Sequence, residues 1–223
     1  MLDIALRCKM LDIIYIDKDI LLVNKPEGIP VETKQIGRTD LESMVKNELK
    51  ARGVLNTSIH VINRLDQPVS GIVLFALNPK AAAVLSKDLQ ENRMDKKYTA
   101  KVFGDFEEKE GTLTDMLFKD AKNNISMVVE KGDKNYKEAK KAVLEYSVDG
   151  EDVDIHLITG RHHQIRVQLA NSGHPILGDT KYGTTESKEY SKQKAINKLC
   201  LKAYSLEFNH PVTMERMKIE IDK

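Results

Sequence analysis

Two short polar clusters interrupt an otherwise apolar pattern: Asn63-Arg64-Leu65-Asp66-Gln67-Pro68-Val69-Ser70-Gly71 and Thr159-Gly160-Arg161-His162-His163-Gln164-Ile165-Arg166. Both read as turns beside buried elements, where a rigid scaffold presents reactive groups. The first offers a carboxylate, Asp66, a group that can attack carbon or take part in proton transfer. The second carries two arginines and two histidines with no acid, a local charge suited to phosphate. No phosphate-binding glycine pattern and no GxSxG elbow occurs, so the commonest motif-bearing enzyme classes lose support. His162 and His163 do not form a metal site on this reading: adjacent side chains are expected to point apart, and no third ligand is in view.

The elements that must hold these clusters are mostly strands. Leu11 to Ile16 and Ile20 to Asn24 flank Asp17-Lys18-Asp19 as a hairpin, and Lys25-Pro26-Glu27-Gly28 turns the chain. Thr39 to Glu42 has capping-box form, and Leu41, Met44, Val45 and Leu49 predict one buried helical stripe behind it. Ile72 to Leu77 is apolar throughout, as a strand covered on both faces should be. Asn78-Pro79 opens a helix running to about Arg93, with Val84, Leu85 and Leu89 facing inward. Further strands are expected around Tyr98 to Val102, Thr112 to Phe118, Ile125 to Glu130, Lys141 to Val148 and Val153 to Ile158. A short helix from about His163 to Asn171, stopped by Gly173, precedes two last strands near Leu199 to Phe208 and Met214 to Ile221. Thr184 to Lys194 reads as a polar surface insertion. Strands mostly follow strands, which predicts an α+β fold with a mainly antiparallel sheet rather than a doubly wound parallel one.

Composition narrows the class. With 223 residues, 41% hydrophobic and 31% charged, one compact soluble domain is expected. The 35 basic and 34 acidic residues leave a formal charge of +1, yet phosphate affinity depends on where charges sit. Lys131 to Lys141 holds five lysines against Asp133 and Glu138 and reads as a solvated face or loop. No run approaches the roughly 18 apolar residues that span a bilayer, and Met1 to Lys9 lacks a leader's pattern. Cys8 and Cys200 have neither CxxC spacing nor zinc-finger histidines, so no disulfide framework or structural zinc is indicated, and a cytoplasmic setting fits.

Taken together and in order, the motifs resemble those of RluA-type RNA pseudouridine synthases. The matching pieces are Leu22-Val23-Asn24-Lys25-Pro26-Glu27-Gly28, Arg64-Leu65-Asp66 with Ser70-Gly71, and Lys97-Tyr98-Thr99-Ala100 with Val102 and Gly104. They continue with Thr159-Gly160-Arg161, His163-Gln164-Ile165-Arg166, Gly173 to Asp179 with Tyr182-Gly183, and Leu206 to Pro211. The resemblance covers about residues 11 to 221. It implies a large mixed, mainly antiparallel bent sheet flanked by helices, with a central catalytic cleft. It implies isomerisation of uridine to pseudouridine in structured RNA, ribosomal or transfer, without a cofactor or metal. By the same resemblance Asp66 is the reactive carboxylate and Arg166 its cationic partner. Tyr98 lies against the target base, where a ring with a hydroxyl can both stack and reach a proton. Arg64 inserts where the flipped nucleotide left the stack, and Arg161 and His163 join it in binding RNA. Beyond the resemblance, Gly71 and Ile72 are read as bordering the base pocket or, equally, as plain fold residues.

A desolvated carboxylate needs a neighbouring cation to stay ionised, which is the physical reason to expect an Asp66–Arg166 pair. Gly71 is expected to permit close packing or an unusual backbone angle, and His163 and Gln164 to hydrogen-bond the loop bearing Asp66. The chain departs from the family pattern: Asn63 stands where histidine is usual, Val69 where threonine is common, and Gln168 and Lys202 replace typical histidines. Because the pattern begins almost at Met10, residues 1–223 are expected to form a single catalytic domain, acting as a monomer, without an N-terminal RNA-binding domain. Two other readings stay open: an RNA-binding or ribosome-assembly factor with little catalysis, and a small-molecule hydrolase with Asp66 as nucleophile.

Overall fold

The computed structural model describes residues 11–35, 37–54 and 58–223; Cys8 and the start up to Met10 lie outside them. Strands β1 (Ile13–Ile16) and β2 (Ile20–Lys25) form the expected hairpin. Its turn is made by Asp17, whose Oδ1 accepts the N–H groups of Asp19 and Ile20. Helix α1 (Leu41–Ala51) follows, then β3 (His60–Val61), β4 (Ser70–Ala76), α2 (Pro79–Gln90) and β5 (Asp95–Lys101). Next come β6 (Glu110–Asp120), β7 (Ile125–Val128), β8 (Lys140–Asp149) and β9 (Asp152–Leu157). Helices α3 (Gln164–Asn171) and α4 (Thr185–Gln193) precede β10 (Leu201–Asn209) and β11 (Arg216–Glu220).

The eleven strands make one sheet in the order β1-β2-β4-β10-β5-β9-β8-β6-β7, with β3 on β4 and β11 on β10. Each of these pairings is antiparallel except β4–β10, which is parallel over Ser70–Lys202 and Gly71–Ala203. The apolar run of β4 has the cause its sequence suggested: both faces are covered. Val73 and Phe75 join Leu21, Val23 and the α1 residues Leu41, Val45 and Leu49. Ile72, Leu74 and Ala76 join Ile20, Leu22 and the α2 residues Ala81 and Leu85. Burying each large side chain contributes roughly 1.5–3 kcal/mol, so β4 is the anchor from which the loop before it is hung.

Three local expectations are corrected. The N-cap of α1 is Asp40, not Thr39: its Oδ1 accepts from Ser43 N–H and its Oδ2 from Thr33 N–H, while Glu42 pairs forward with Lys46. Met44 is only half-buried. Residues 184–194 contain α4, capped by Thr184. Its buried face is Ser187 and Ser191, small polar residues that produce no apolar stripe, and Ser191 Oγ accepts from Gly178 N–H. The lysine-rich stretch is a largely exposed loop with a short 3-10 turn at Tyr136–Glu138, as expected.

Gly71 makes the β4–β10 contact possible. Its φ is +121°, and a Cβ there would lie 2.1 Å from the carbonyl oxygen of Ala203. G71A is therefore expected to lower stability by about 2–4 kcal/mol, read by denaturant titration. G28A serves as the control, since Gly28 has φ +80° but open space around it. It should cost only about 1–2 kcal/mol.

Candidate active site

The loop bearing Asp66 is held from three directions. After β3, Ile62 N–H donates to Leu74 O, and Asn63 then uses its side-chain amide as a further rung. Its Nδ2 donates to Ile72 O at 3.1 Å and its Oδ1 accepts from Leu74 N–H at 2.7 Å. An amide carries a donor and an acceptor side by side, so Asn63 imitates a peptide group and extends the ladder on β4. The chain then turns, closed by Val69 N–H on Asp66 O, with Leu65 and Val69 buried as pegs on either side. The third hold is Lys25, which is 0% exposed. Its ammonium donates to the carbonyls of Pro26 (2.9 Å), Ile29 (2.8 Å) and Gln67 (3.1 Å). Three donors meet three acceptors, tying the turn after β2 to the residue beside Asp66. Burial drops the Lys25 pKa to about 8, against the opposing pull of Asp66.

Helix α3 delivers the cation. Gln164 positions its start, accepting from Thr159 Oγ1 and Arg161 N–H and donating to Val143 O. These bonds brace the turn before α3 rather than the Asp66 loop. Arg166, on the same buried helix, sends Nε and Nη2 to the two oxygens of Asp179, each at 2.8 Å. Its remaining arm, Nη1, donates to Asp66 Oδ2 at 3.2 Å. The fork on Asp179 fixes the guanidinium plane, so the bond to Asp66 is set by a second carboxylate. Asp179 is 1% exposed and also accepts from the N–H groups of Lys181 and Tyr182. The arginine fork and these N–H groups hold its pKa below the usual range in spite of burial, whereas burial lifts that of Asp66 against Arg166.

His163 stands on the other flank, with Nε2 3.7 Å from Asp66 Oδ2 and Nδ1 2.6 Å from the Tyr182 hydroxyl. That hydroxyl already accepts from Ser126 N–H, leaving its own proton for Nδ1. In this arrangement Nε2 carries the ring proton and turns it toward Asp66. Burial, with the charges around it, drops the His163 pKa to about 3. The ring is neutral at pH 7 and buried, as a hydrogen-bonded structural histidine would be. Its backbone is left-handed (φ +54°), and this brings its ring onto His162 at 3.7 Å between centroids. The two side chains thus stack rather than point apart. In-plane nitrogens of stacked rings do not converge on one ion.

Tyr98 lies on β5, 7% exposed, close enough to Asp66 for that charge to join burial in raising its phenol pKa. Among the described residues its hydroxyl has no hydrogen-bond partner. Asp66, Tyr98, Arg166 and His163 are thus brought together. Arg64 points outward, paired loosely with Glu32 at 3.5 Å, and Arg161 is exposed with Nε on Lys141 O. Ile72 is not brought to the site: it packs with Leu74 and Leu85 on the other face of β4, because successive strand residues alternate. Lys25, Asp179 and Asn63 were not singled out as site residues by sequence, although all three stand in or beside the quoted motifs.

Other clusters fit the chemistry less well. One ligand atom from each of Asp17, Asp19 and His210 lies within 4.8 Å of the others. His210 Nδ1 accepts from Val212 and Thr213 N–H, so Nε2 carries the proton and faces Asp17 Oδ2 at 2.9 Å. A ring so protonated ties two turns together and offers no lone pair to a metal. A cavity lined by Thr99, Lys101, Asp152, Cys200 and Lys202 opens on the face of β5 opposite Tyr98. Among the described residues, no helix is long and apolar enough to cross a membrane.

Comparison with known proteins bears on the family and the fold. A family model described as RNA pseudouridylate synthase matches residues 19–171. A tRNA pseudouridine synthase C of Haemophilus ducreyi is 30% identical over 94% of this chain and 89% of its own length. A ribosomal large subunit pseudouridine synthase C of Vibrio vulnificus is 33% identical over 93% of this chain, which spans 64% of that relative. Among solved structures, human RNA pseudouridylate synthase domain containing 4 superposes with a TM-score of 0.77 at 21% identity, over 95% of this chain and 88% of that one. By fold and by sequence, the chain belongs to the RNA pseudouridylate synthase family.

Proposed function

We propose that this chain isomerises uridine to pseudouridine in ribosomal or transfer RNA, as a single catalytic domain, with Asp66 as the reactive carboxylate and no cofactor. The observation that carries the reading is the Asp66–Arg166 bond at 3.2 Å, with Tyr98 beside it. In the reaction the N1–C1′ bond of the nucleotide breaks, the freed uracil turns, and a C5–C1′ bond forms. The C5 proton leaves and N1 gains one, so the net change needs no oxidant or reductant. Asp66 serves the sugar or the detached base through its carboxylate oxygen, kept ionised by Arg166. Tyr98 lies against the extruded base and offers its free hydroxyl for the proton step at C5. Arg64, exposed on the same loop, fills the place left by the flipped nucleotide, offsetting part of an unstacking cost of a few kcal/mol. Arg161 adds a contact to phosphate. The names of the relatives support RNA as substrate, one of them transfer RNA and another the large ribosomal subunit.

Mapping pseudouridine by carbodiimide treatment and reverse transcription in cells with and without the gene tests the reading. Stops are expected to vanish in the deletion and return with wild type but not with D66N, whose turnover should fall at least about a thousandfold. An unchanged map would overturn it.

The same variant has a stability signature. Because the folded-state pKa of Asp66 is raised above 3.8, the native state holds that proton more tightly than the unfolded chain. Ionising Asp66 therefore costs stability as pH rises above 3.8, and the cost is fully present at pH 7. D66N is expected to melt higher than wild type at pH 7, with the gap closing below the unfolded value.

R166M removes the cation from two carboxylates at once and leaves Asp179 buried with its charge. The expected loss is about 3–5 kcal/mol in denaturant titration. R166K should recover part of it but not the two-armed fork.

A further inference from the structure

Lys96 has a largely buried side chain whose ammonium still meets solvent and, among the described residues, is claimed by no other group. It precedes Tyr98 by two residues on β5, where burial alternates, so both side chains lie on the same face, 6% and 7% exposed. Its Nζ lies 4.0 Å from where a Cβ on Gly160 would stand, at the turn that opens toward α3. Among the described residues its ammonium makes neither a hydrogen bond nor an ion pair. Lys25 shows how this fold satisfies a buried ammonium, with three carbonyls; Lys96 has none. Burial and the charge of Arg161 both lower its pKa, and only Asp95 opposes them. Asp66 is engaged by Arg166 and makes no ion pair with it. An ammonium at the mouth of the site, partly desolvated and unpaired, is open to an incoming anion.

Resting on the reading above, the geometry points to an anion subsite made by Lys96 with Arg161 at the Gly160 turn, which takes the phosphodiester of the nucleotide whose base lies on Tyr98. Two residues along a strand span about 7 Å. That reach is comparable to the separation between a base and the phosphate of its own nucleotide. Gly160 leaves the approach open, and the exposed guanidinium of Arg161, braced through Nε on Lys141 O, faces the same anion from outside. A phosphate contact sets register and orientation without reading sequence, so Lys96 places the target sugar against Asp66.

The test uses the whole protein and RNA from a strain lacking its gene. K96M is expected to lower kcat/KM for pseudouridine formation about tenfold. The slope of log kcat/KM against log[KCl] should flatten by about 0.7–0.9, the signature of one lost phosphate contact. K96R should keep the slope. With a lone charge removed, K96M should melt no lower than wild type. In direct titration, wild type is expected to bind uridine 5′-monophosphate about tenfold more tightly than uridine, and K96M to bind the two alike. An unchanged salt slope, an equal loss of affinity for both ligands, or a K96M protein melting well below wild type would each overturn the subsite. The last result would place the ammonium's partner within the protein. If wild type forms no pseudouridine on that RNA, the functional reading falls, and the nucleotide titration still decides this one.

Discussion

One guanidinium serves two carboxylates, and the rest of the site depends on how unequally it does so. Arg166 gives Asp179 both arms of its fork and leaves Asp66 a single longer bond. Asp179 adds two backbone N–H donors and is driven firmly to its ionised form. Asp66 has no such surplus, and burial wins over its one cation. Two acids beside the same cation are thus pushed in opposite directions, and the number of hydrogen bonds to each decides which way. The satisfied acid orients the arginine, and the under-satisfied one keeps lone pairs that no protein donor among the described residues claims. A carboxylate with every lone pair filled would be a poor nucleophile or base.

Precision at Asp66 comes from regular structure on either side of an irregular loop. Asn63 continues a strand ladder by side chain, Lys25 gathers three carbonyls, and Leu65 and Val69 sit in the core. Only Arg64 escapes these restraints and projects into solvent. The loop thus holds one carboxylate rigidly and leaves its neighbour two residues earlier free to move.

Much of this was legible in sequence, for reasons that differ by residue. The hairpin, β4 and the two amphipathic helices follow from local periodicity and turn chemistry, and Asp66, Tyr98 and Arg166 from the resemblance. What escaped depends on partners far along the chain. Asp179 matters through Arg166, and Lys25 through Gln67, contacts that no local pattern announces. Helix α4 was hidden because its inward face is serine, and the cap of α1 shifted by one because Asp40 can bridge to Thr33 as well as cap. The orientation of His163 turned on a left-handed backbone angle in a non-glycine residue, which sequence does not disclose. Of the two roles open for Ile72, the structure shows the fold role, which a uniformly apolar run could not decide because it carries no alternation from which to read sides.

Strand β10 has a consequence for how the enzyme is made. It lies between β4 and β5, the strands that carry the Asp66 loop and Tyr98, and touches β4 at only two register pairs. During synthesis the chain before β10 therefore emerges with two open hydrogen-bonding edges facing a gap, between the Asp66 loop and Tyr98. The gap closes only after residue 201 has left the ribosome, a long-range closure that comes late in folding. Until then the nascent chain is exposed to wrong pairing, so β10 acts as a keystone between the strand that carries the Asp66 loop and the strand that carries Tyr98.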